Sequence, residues 1–181
     1  MQRASWLVAG AVIAFALGRL TGGDRADVSG GRASEIPASI TGTPLVLDGD
    51  TIDFDGLRVR LFGIDAPERD QLCERADGSR YACGQAAREA LSTALAGMTV
   101  SCTRRDVDPY GRMVAVCRTR DGDLGAILVE RGLALAYRHY SNDYVGEEDK
   151  ARAARRGLWE GSFEAPWDYR HNPRRSGDAK E

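Results

Sequence analysis

The sequence predicts a mainly β domain of the α+β class, built as a five-stranded barrel, closed or nearly closed, with about three helices. Three observations predict it: period-two alternation around Asp55-Gly56, an apolar helical pattern after the third strand, and a further strand pair after that helix. The composition agrees, because 43% hydrophobic and 29% charged residues in a chain of 181 are typical of one soluble domain with a single core.

The first three strands lie within residues 40–64. Residues 45–47 end the first strand, which begins near Ile40. Residues 51–54 and 57–64 form two arms of a hairpin around Asp55-Gly56, a dipeptide typical of tight hairpin turns. Pairing of the flanking residues puts apolar side chains on one face only, so the strands cover a core on one side. The apolar face is Ile52, Phe54, Leu57, Val59 and Leu61, and the polar face is Thr51, Asp53, Arg58 and Arg60.

A helix and a second strand pair follow. Apolar residues recur at helical spacing through residues 84–96, and Gly97 is suited to end that helix. Residues 99–104 and 113–119 are then predicted to form an antiparallel pair.

Two more helices complete the fold. Asp123 is a natural N-cap for a short helix that ends before Gly132, and a last helix is predicted for residues 143–156. Five short strands with a helix between the third and the fourth follow the general plan of an oligonucleotide-binding-type barrel. Periodicity alone does not exclude another compact α+β arrangement.

The N-terminus is a different kind of sequence. Residues 6–17 form an uncharged apolar run of 12 residues, which is shorter than the roughly 20 that span a bilayer. Such a run is typical of a signal peptide, and Ala14-Phe15-Ala16 has the small-x-small form of a cleavage site. A retained membrane anchor with Arg19 at one end is the alternative, and a helix buried in the domain is a third.

The chain accordingly divides into four segments. The residues after Thr21 are rich in Gly, Ser, Thr and charge, as expected of a linker. We expect a signal peptide or membrane anchor at residues 1–20, a flexible linker at 21–42, the domain at 43–170 and a polar tail at 171–181. The protein is therefore expected to be exported: secreted, periplasmic or membrane-anchored facing outside the cytoplasm.

Export bears on the state of the four cysteines, because disulfides persist in oxidising compartments. Four cysteines without the short spacing of zinc sites favour two disulfides, with separately buried thiols as the alternative. Cys102 and Cys117 lie on two strands joined by a turn, so they could meet across the sheet. Cys73 and Cys83 would then close the loop that follows Glu68.

Charge and histidine content limit the function classes. A formal net charge of −2 gives no global attraction to nucleic acid. Local arginines would have to provide it, and a solvated face that balances nearby acids is the alternative for each of them. They are Arg58, Arg60, Arg104, Arg105 and Arg112. The two histidines, His139 and His171, lie away from the acidic motifs, which disfavours a histidine-based nuclease. No glycine-rich phosphate loop or Ser-His-Asp arrangement occurs in the sequence.

Two short stretches carry the chemistry. Residues 47–68 read LDGDTIDFDGLRVRLFGIDAPE, and residues 108–112 read DPYGR. Acids bind a hard cation and activate water, whereas guanidinium groups bind phosphate oxygens. The combination indicates phosphodiester cleavage. The residues concerned are Asp48, Asp50, Asp65, Glu68, Arg60 and Arg112.

The spacing of the aspartates sets a geometric condition. A straight hairpin would leave Asp50 and Asp65 on the order of 13 Å apart. They can share a cation only if the sheet bends or bulges, as a small barrel requires; otherwise they are ordinary turn residues. Glu68 follows Pro67, which stiffens the backbone, so its carboxylate could accept a proton from water.

Five motifs occur in one order over residues 43–170: DGDT, RLFGIDAPE, DPYGR, GLALAYRHY and GLW. In these motifs the chain resembles the thermonuclease family, whose type member is staphylococcal nuclease. The resemblance implies a barrel of the oligonucleotide-binding type with added helices, and calcium-dependent cleavage of DNA and RNA. In that family water attacks in line and the 5′ oxygen leaves, so that 3′-phosphate ends remain.

The resemblance also implies roles for individual residues. The implied calcium ligands are Asp50, Asp65 and the backbone carbonyl of Ala66. Glu68 would activate or position water, and Arg60 and Arg112 would bind the phosphate. The implied nucleotide-pocket residues are Tyr110, Tyr137 and Tyr140. The chain departs from the type member at Ala66, where that protein has threonine, and at residues 69–83.

The leading hypothesis is an exported calcium-dependent nuclease that acts as a monomer on DNA and RNA and prefers single strands. A non-catalytic nucleic-acid- or protein-binding module on the same barrel is the alternative, and an envelope-tethered structural protein is a third. Modules that lose activity usually lose a ligand aspartate, the glutamate or an arginine. This chain keeps all five of these residues, which favours the enzyme: Asp50, Asp65, Glu68, Arg60 and Arg112.

Overall fold

The structure is a computed structural model that describes residues 36–172. The predicted signal peptide or anchor, residues 1–20, lies outside the described residues, as do residues 21–35 of the linker and 173–181 of the tail. Within the described part, no helix is both long and apolar enough to cross a membrane.

Eleven strands and four α-helices make up the described residues. The strands are β1 (Ser39–Gly42), β2 (Leu45–Asp48), β3 (Thr51–Phe54), β4 (Leu57–Leu61), β5 (Ile64–Asp65), β6 (Leu72–Glu74), β7 (Arg80–Ala82), β8 (Val100–Val107), β9 (Met113–Thr119), β10 (Gly122–Asp123) and β11 (Leu135–Ala136). The helices are α1 (Cys83–Leu95), α2 (Leu124–Glu130), α3 (Val145–Ala153) and α4 (Pro166–His171), with a 3₁₀ turn at Gly157–Glu160.

The main sheet is strongly curled. Its order is β1-β8-β9-β4-β3-β2, with β4 and β9 parallel and the other neighbours antiparallel. The two edge strands, β1 and β2, are consecutive in the chain and are separated only by Thr43 and Pro44. One stretch of chain therefore bonds both edges, and the sheet curls into a barrel. The predicted mainly β barrel is confirmed.

The β3–β4 hairpin has the predicted register. Phe54 pairs with Leu57, and both turn residues have positive φ, 51° at Asp55 and 97° at Gly56. Positive φ at both positions is what a two-residue turn matching the strand twist requires. Ile52 and Val59 are fully buried on the inner face, so the face assigned to the core is the one that the structure buries.

The helices differ from the prediction at the C-terminus. α1 and α2 lie where expected, and the Asp123 carboxylate accepts hydrogen bonds from Gly125 N and Ala126 N as the N-cap. The last predicted helix, residues 143–156, is shorter and is followed by the 3₁₀ turn. α4 was not predicted, so the structure has four α-helices rather than about three. Its first residue is Pro166, which tolerates this position because its missing N–H would have no helical partner.

The sheet begins inside the segment expected to be linker. β1 starts at Ser39, and Ile36 and Ile40 pack against the core. Arg104 N donates to Ala38 O at 2.9 Å, which extends the β1–β8 pairing by a further hydrogen bond. Local pattern does not reveal this strand, because Ser-Ile-Thr-Gly carries one apolar residue and its pairing partner lies some sixty residues away.

We expect a chain that begins at residue 36 to fold and to keep the activity of the full protein, because every described strand is retained. A chain that begins at residue 43 loses β1, an edge strand of the sheet, and with it the pairing to β8. It should melt at a lower temperature by circular dichroism. Equal melting temperatures for the two shortened chains would show that β1 does not contribute to stability.

Both disulfides of the structure join the cysteines that the sequence pairs. Cys102 and Cys117 lie opposite each other in the β8–β9 register, with a Cα–Cα distance of 4.0 Å. Cys73 on β6 bonds Cys83, the first residue of α1. Disulfides persist in oxidising compartments, so they indicate a protein that is not cytosolic.

Candidate active site

An open cleft of about 550 Å³ lies against β3, β4 and the segment after β5. It brings together eight of the nine residues assigned to metal, catalysis or substrate. The lining includes Asp50, Arg60, Ala66, Glu68, Tyr110, Arg112, Tyr137 and Tyr140. The ninth, Asp65, is fully buried beneath the cleft and contacts it through arginine side chains.

The two aspartates meet because the hairpin is not straight. The chain turns at Gly63, with φ of 73°, between β4 and β5. β5 then pairs with β11 instead of continuing β4. As a result Asp50 and Asp65 both bond one side chain, and the condition set by their spacing is met.

That shared side chain is Arg60. Its Nη1 lies 3.0 Å from Asp50 Oδ2, and its Nη2 donates to Asp65 Oδ1 at 2.6 Å. Burial by itself lowers the pKa of Arg60, but attraction to Asp50 and Asp65 outweighs it and the pKa is raised. The guanidinium therefore stays charged, and its planar fork fixes the positions of both carboxylates.

Asp108 holds the second predicted arginine. One carboxylate oxygen accepts from Tyr110 N and Arg112 N, and the other accepts from Arg112 Nε at 2.6 Å. Partial burial raises the pKa of Asp108, but these bonds with Arg112 and Tyr110 outweigh it and the pKa is lowered. The sequence reasoning gave Asp108 no role, although aspartate at the start of a turn commonly bonds the backbone two residues on.

The glutamate is positioned through its backbone. Glu68 N donates to the buried Gln71 side chain at 3.0 Å. Gly84, the second residue of α1, lies so close that a Cβ there would come within 1.8 Å of Glu68 O. Only glycine fits, so the start of α1 is packed directly on the backbone that carries Glu68.

Ala66 is also a packing position. It is 4% exposed, and its N–H donates to Asp50 Oδ2 at 3.2 Å. A Cβ on Gly49 would lie 2.8 Å from the Ala66 Cβ, so small residues are needed on both sides of this contact. The difference from the family's threonine therefore coincides with tight packing beside the aspartates.

Arg170 joins the cluster and was missed by the sequence reasoning. It comes from α4, where its Nη1 donates to Glu68 Oε1 at 2.6 Å and its Nη2 to Asp65 Oδ2 at 2.8 Å. The helix signal was present, because Pro166 opens α4, an acid occupies the first turn and basic residues occupy the last. The sequence carried no signal that this helix would reach residues 65 and 68.

The predicted tyrosines lie along the same cleft. Tyr110 and Tyr140 are 85% and 63% exposed, so their rings are open to a ligand. Tyr137 stacks on Trp167 of α4 with ring centroids 5.5 Å apart and packs edge-on against Tyr140 at 5.1 Å. Trp167 was not predicted, and it extends the aromatic surface towards α4.

The type of donor atoms in the cleft, and not a complete set of ligands, is what favours a cation here. Among residues 36–172, no group of three or more His, Cys, Asp or Glu side chains is arranged to hold a metal ion. Asp50 and Asp65 nevertheless converge on one guanidinium, and both are buried. Carboxylate oxygens are hard ligands of the kind that calcium prefers. The donor set therefore fits calcium, with carbonyls and water as further ligands.

Sequence comparisons identify relatives of this chain. The sequence is 35% identical over 143 residues to the micrococcal nuclease of Shigella flexneri, covering 69% of this chain and 76% of that protein. It is 35% identical over 134 residues to an uncharacterized endonuclease of Escherichia coli O157:H7, covering 70% and 81% respectively. It is also 37% identical over 124 residues to the succinoglycan biosynthesis protein ExoI of Rhizobium meliloti, but covers only 64% of that protein's length.

A family model agrees with these relatives. The model described as "Staphylococcal nuclease homologue" matches residues 58–161, more than half of the chain. The match includes Arg60, Asp65, Glu68 and Arg112 and ends before Arg170. The chain therefore belongs to the staphylococcal nuclease family.

Proposed function

We propose that this protein is an exported, calcium-dependent nuclease that hydrolyses phosphodiester bonds of DNA and RNA. The observation that carries the proposal is the convergence of Asp50 and Asp65 on Arg60, with Glu68 and Arg112 in the same cleft. Cation ligands, a base and phosphate-binding groups are the parts that such a reaction requires.

Charge balance supports a divalent cation. Asp50, Asp65 and Glu68 contribute three negative charges, and the two arginines bonded to them, Arg60 and Arg170, contribute two positive ones. The cluster thus carries one net negative charge, which repels a phosphodiester. A divalent cation reverses that sign, so the loaded site would attract the substrate.

Asp50, Asp65 and the carbonyl of Ala66 would hold calcium, which when bound polarises the phosphoryl group and neutralises its developing charge. Glu68 would accept one proton of the water that attacks phosphorus in line. Arg60 and Arg112 would stabilise the additional negative charge on the phosphoryl oxygens. The bond to the 5′ oxygen breaks, that oxygen takes a proton from solvent to become a hydroxyl, and a 3′-phosphate end remains. Glu68 then returns its proton to solvent.

The aromatic side chains would bind the bases. Tyr110 and Tyr140 are exposed at the cleft, and stacking on aromatic rings tolerates any base. A base can stack on a protein ring only when it is turned out of the duplex, and unpaired strands allow this most easily, so we infer that single strands are preferred.

The test is cleavage of single-stranded DNA by the purified protein, with calcium and then with excess chelator. We expect cleavage with calcium, none with chelator, recovery when calcium is restored, and products that end in 3′-phosphate. Cleavage that survives exhaustive chelation would contradict the assigned metal role. Binding of DNA without cleavage at any calcium concentration would favour the non-catalytic module.

A further inference from the structure

Asp65, the proposed cation ligand, already binds two guanidinium groups. It is fully buried, and its Oδ1 accepts from Arg60 Nη2 at 2.6 Å and from Arg170 Nη1 at 3.1 Å. Its Oδ2 accepts from Arg170 Nη2 at 2.8 Å. Both oxygens are thus occupied by guanidinium groups. A cation that approaches this buried carboxylate must therefore compete with these guanidinium groups for its oxygens.

Arg170 is the group that is better able to release. Arg60 lies on β4 inside the barrel sheet, with 18% of its side chain exposed, whereas the Arg170 side chain is 33% exposed and lies on the six-residue helix α4. Moving the Arg170 side chain leaves the barrel intact. Moving the Arg60 side chain would break the bridge in which one guanidinium binds both Asp50 and Asp65.

We propose that Arg170 is a third arginine of the active site, which competes with the divalent cation for Asp65 and so sets how tightly the site binds that cation. The inference rests on the proposed function in taking Asp65 as a cation ligand. It goes beyond the family match, which ends at residue 161. When displaced from Asp65, Arg170 remains within the cleft that it lines.

The position of Arg170 is built into the fold. Trp167, one turn earlier on α4, stacks on Tyr137 with an interplanar angle of 10°. The fully buried Gln71 donates from Nε2 to Glu164 O at 2.7 Å, which fixes the chain just before the helix. These contacts deliver the arginine to Asp65 and Glu68 from outside the barrel.

Repulsion between like charges explains why loss of Arg170 should tighten cation binding. A guanidinium bonded to a ligand carboxylate lies within a few ångström of any cation on that carboxylate and repels it. Replacing Arg170 with glutamine removes this repulsion and frees Asp65 Oδ2, while Oδ1 keeps its bond to Arg60. It also leaves Asp65 and Glu68 without one counter-charge in the metal-free protein, which should therefore be less stable.

The experiment measures calcium binding to the full protein by titration calorimetry, in the absence of DNA. We expect Arg170→Gln to bind calcium on the order of tenfold more tightly than the wild type. Arg170→Lys keeps the charge but loses the fork, and should lie between them. The control, Arg156→Gln, makes the same charge change at an arginine that is paired with Glu130 and does not line the cleft. Its affinity should match that of the wild type.

Thermal unfolding provides a second readout. Without calcium, Arg170→Gln should melt below the wild type, and added calcium should raise its melting temperature by more than it raises that of the wild type. A merely structural role would lower the melting temperature equally with and without calcium. If the glutamine variant does not fold, the lysine variant decides the question by the same two measurements.

Unchanged or weaker calcium binding by Arg170→Gln, in a protein that still cleaves DNA, would overturn this inference and leave the proposed function standing. Tighter calcium binding without cleavage by either protein would support the inference and contradict the function. Absence of calcium binding in both proteins would overturn both.

Discussion

Lysine in place of Arg60 should lower the cleavage rate on the order of 10²-fold or more, although the positive charge is retained. The Arg60 fork reaches Asp50 with one nitrogen and Asp65 with the other. A single ammonium on a flexible stem cannot hold two carboxylates and a phosphate in one plane. The same loss is expected for Arg112→Lys, because its ion pair with Asp108 uses Nε and does not consume the terminal nitrogens.

The third variant of this series is Glu68→Gln. It keeps the shape of the side chain but cannot accept a proton from water, so it should lower kcat much more than it weakens DNA binding. The measurements are single-turnover cleavage at saturating calcium and binding of a short oligonucleotide.

The matched control is Arg118→Lys. Arg118 also forms an ion pair, with Asp123 at 3.1 Å, but it is 58% exposed and does not line the cleft. Its variant should cleave at close to the wild-type rate. Near-normal cleavage by Arg60→Lys, Arg112→Lys and Glu68→Gln together would show that the active site has been assigned to the wrong residues.

Local sequence patterns predicted the elements whose structure is determined by a few adjacent residues. Asp55-Gly56 specifies a turn, alternation specifies the buried face of β3 and β4, and Asp123 caps α2. These features depend on steric and hydrogen-bonding preferences of adjacent residues, which a sequence displays directly.

Long-range contacts could not be predicted in the same way. Arg170 bonds Asp65 across 105 positions of the chain, and β1 pairs with a strand some sixty residues away. The convergence of Asp50 and Asp65 on Arg60 could be stated only as a condition, because it depends on the turn at Gly63 and on the pairing of β5 with β11. The sequence around Gly63 has no pattern that requires such a bend.

Removing each disulfide separately should lower the stability of both variants but the cleavage rate of only one. The pairs close loops of 15 and 10 residues, for which chain entropy gives about 3 and about 2.7 kcal/mol. Replacing both cysteines of either pair with alanine should therefore lower the free energy of unfolding by similar amounts, as measured by urea unfolding under oxidising conditions.

The two double variants should differ in rate. Cys102 and Cys117 lie on paired strands that many other contacts hold, so their removal should leave kcat unchanged in the folded protein. Cys83 begins α1, and the next residue, Gly84, packs on the carbonyl of Glu68. Loss of the Cys73–Cys83 bond loosens this contact and should lower kcat about tenfold or more, since small displacements of a catalytic group are costly. Equal kcat values for the two variants would mean that the β6–α1 bond has no part in positioning Glu68.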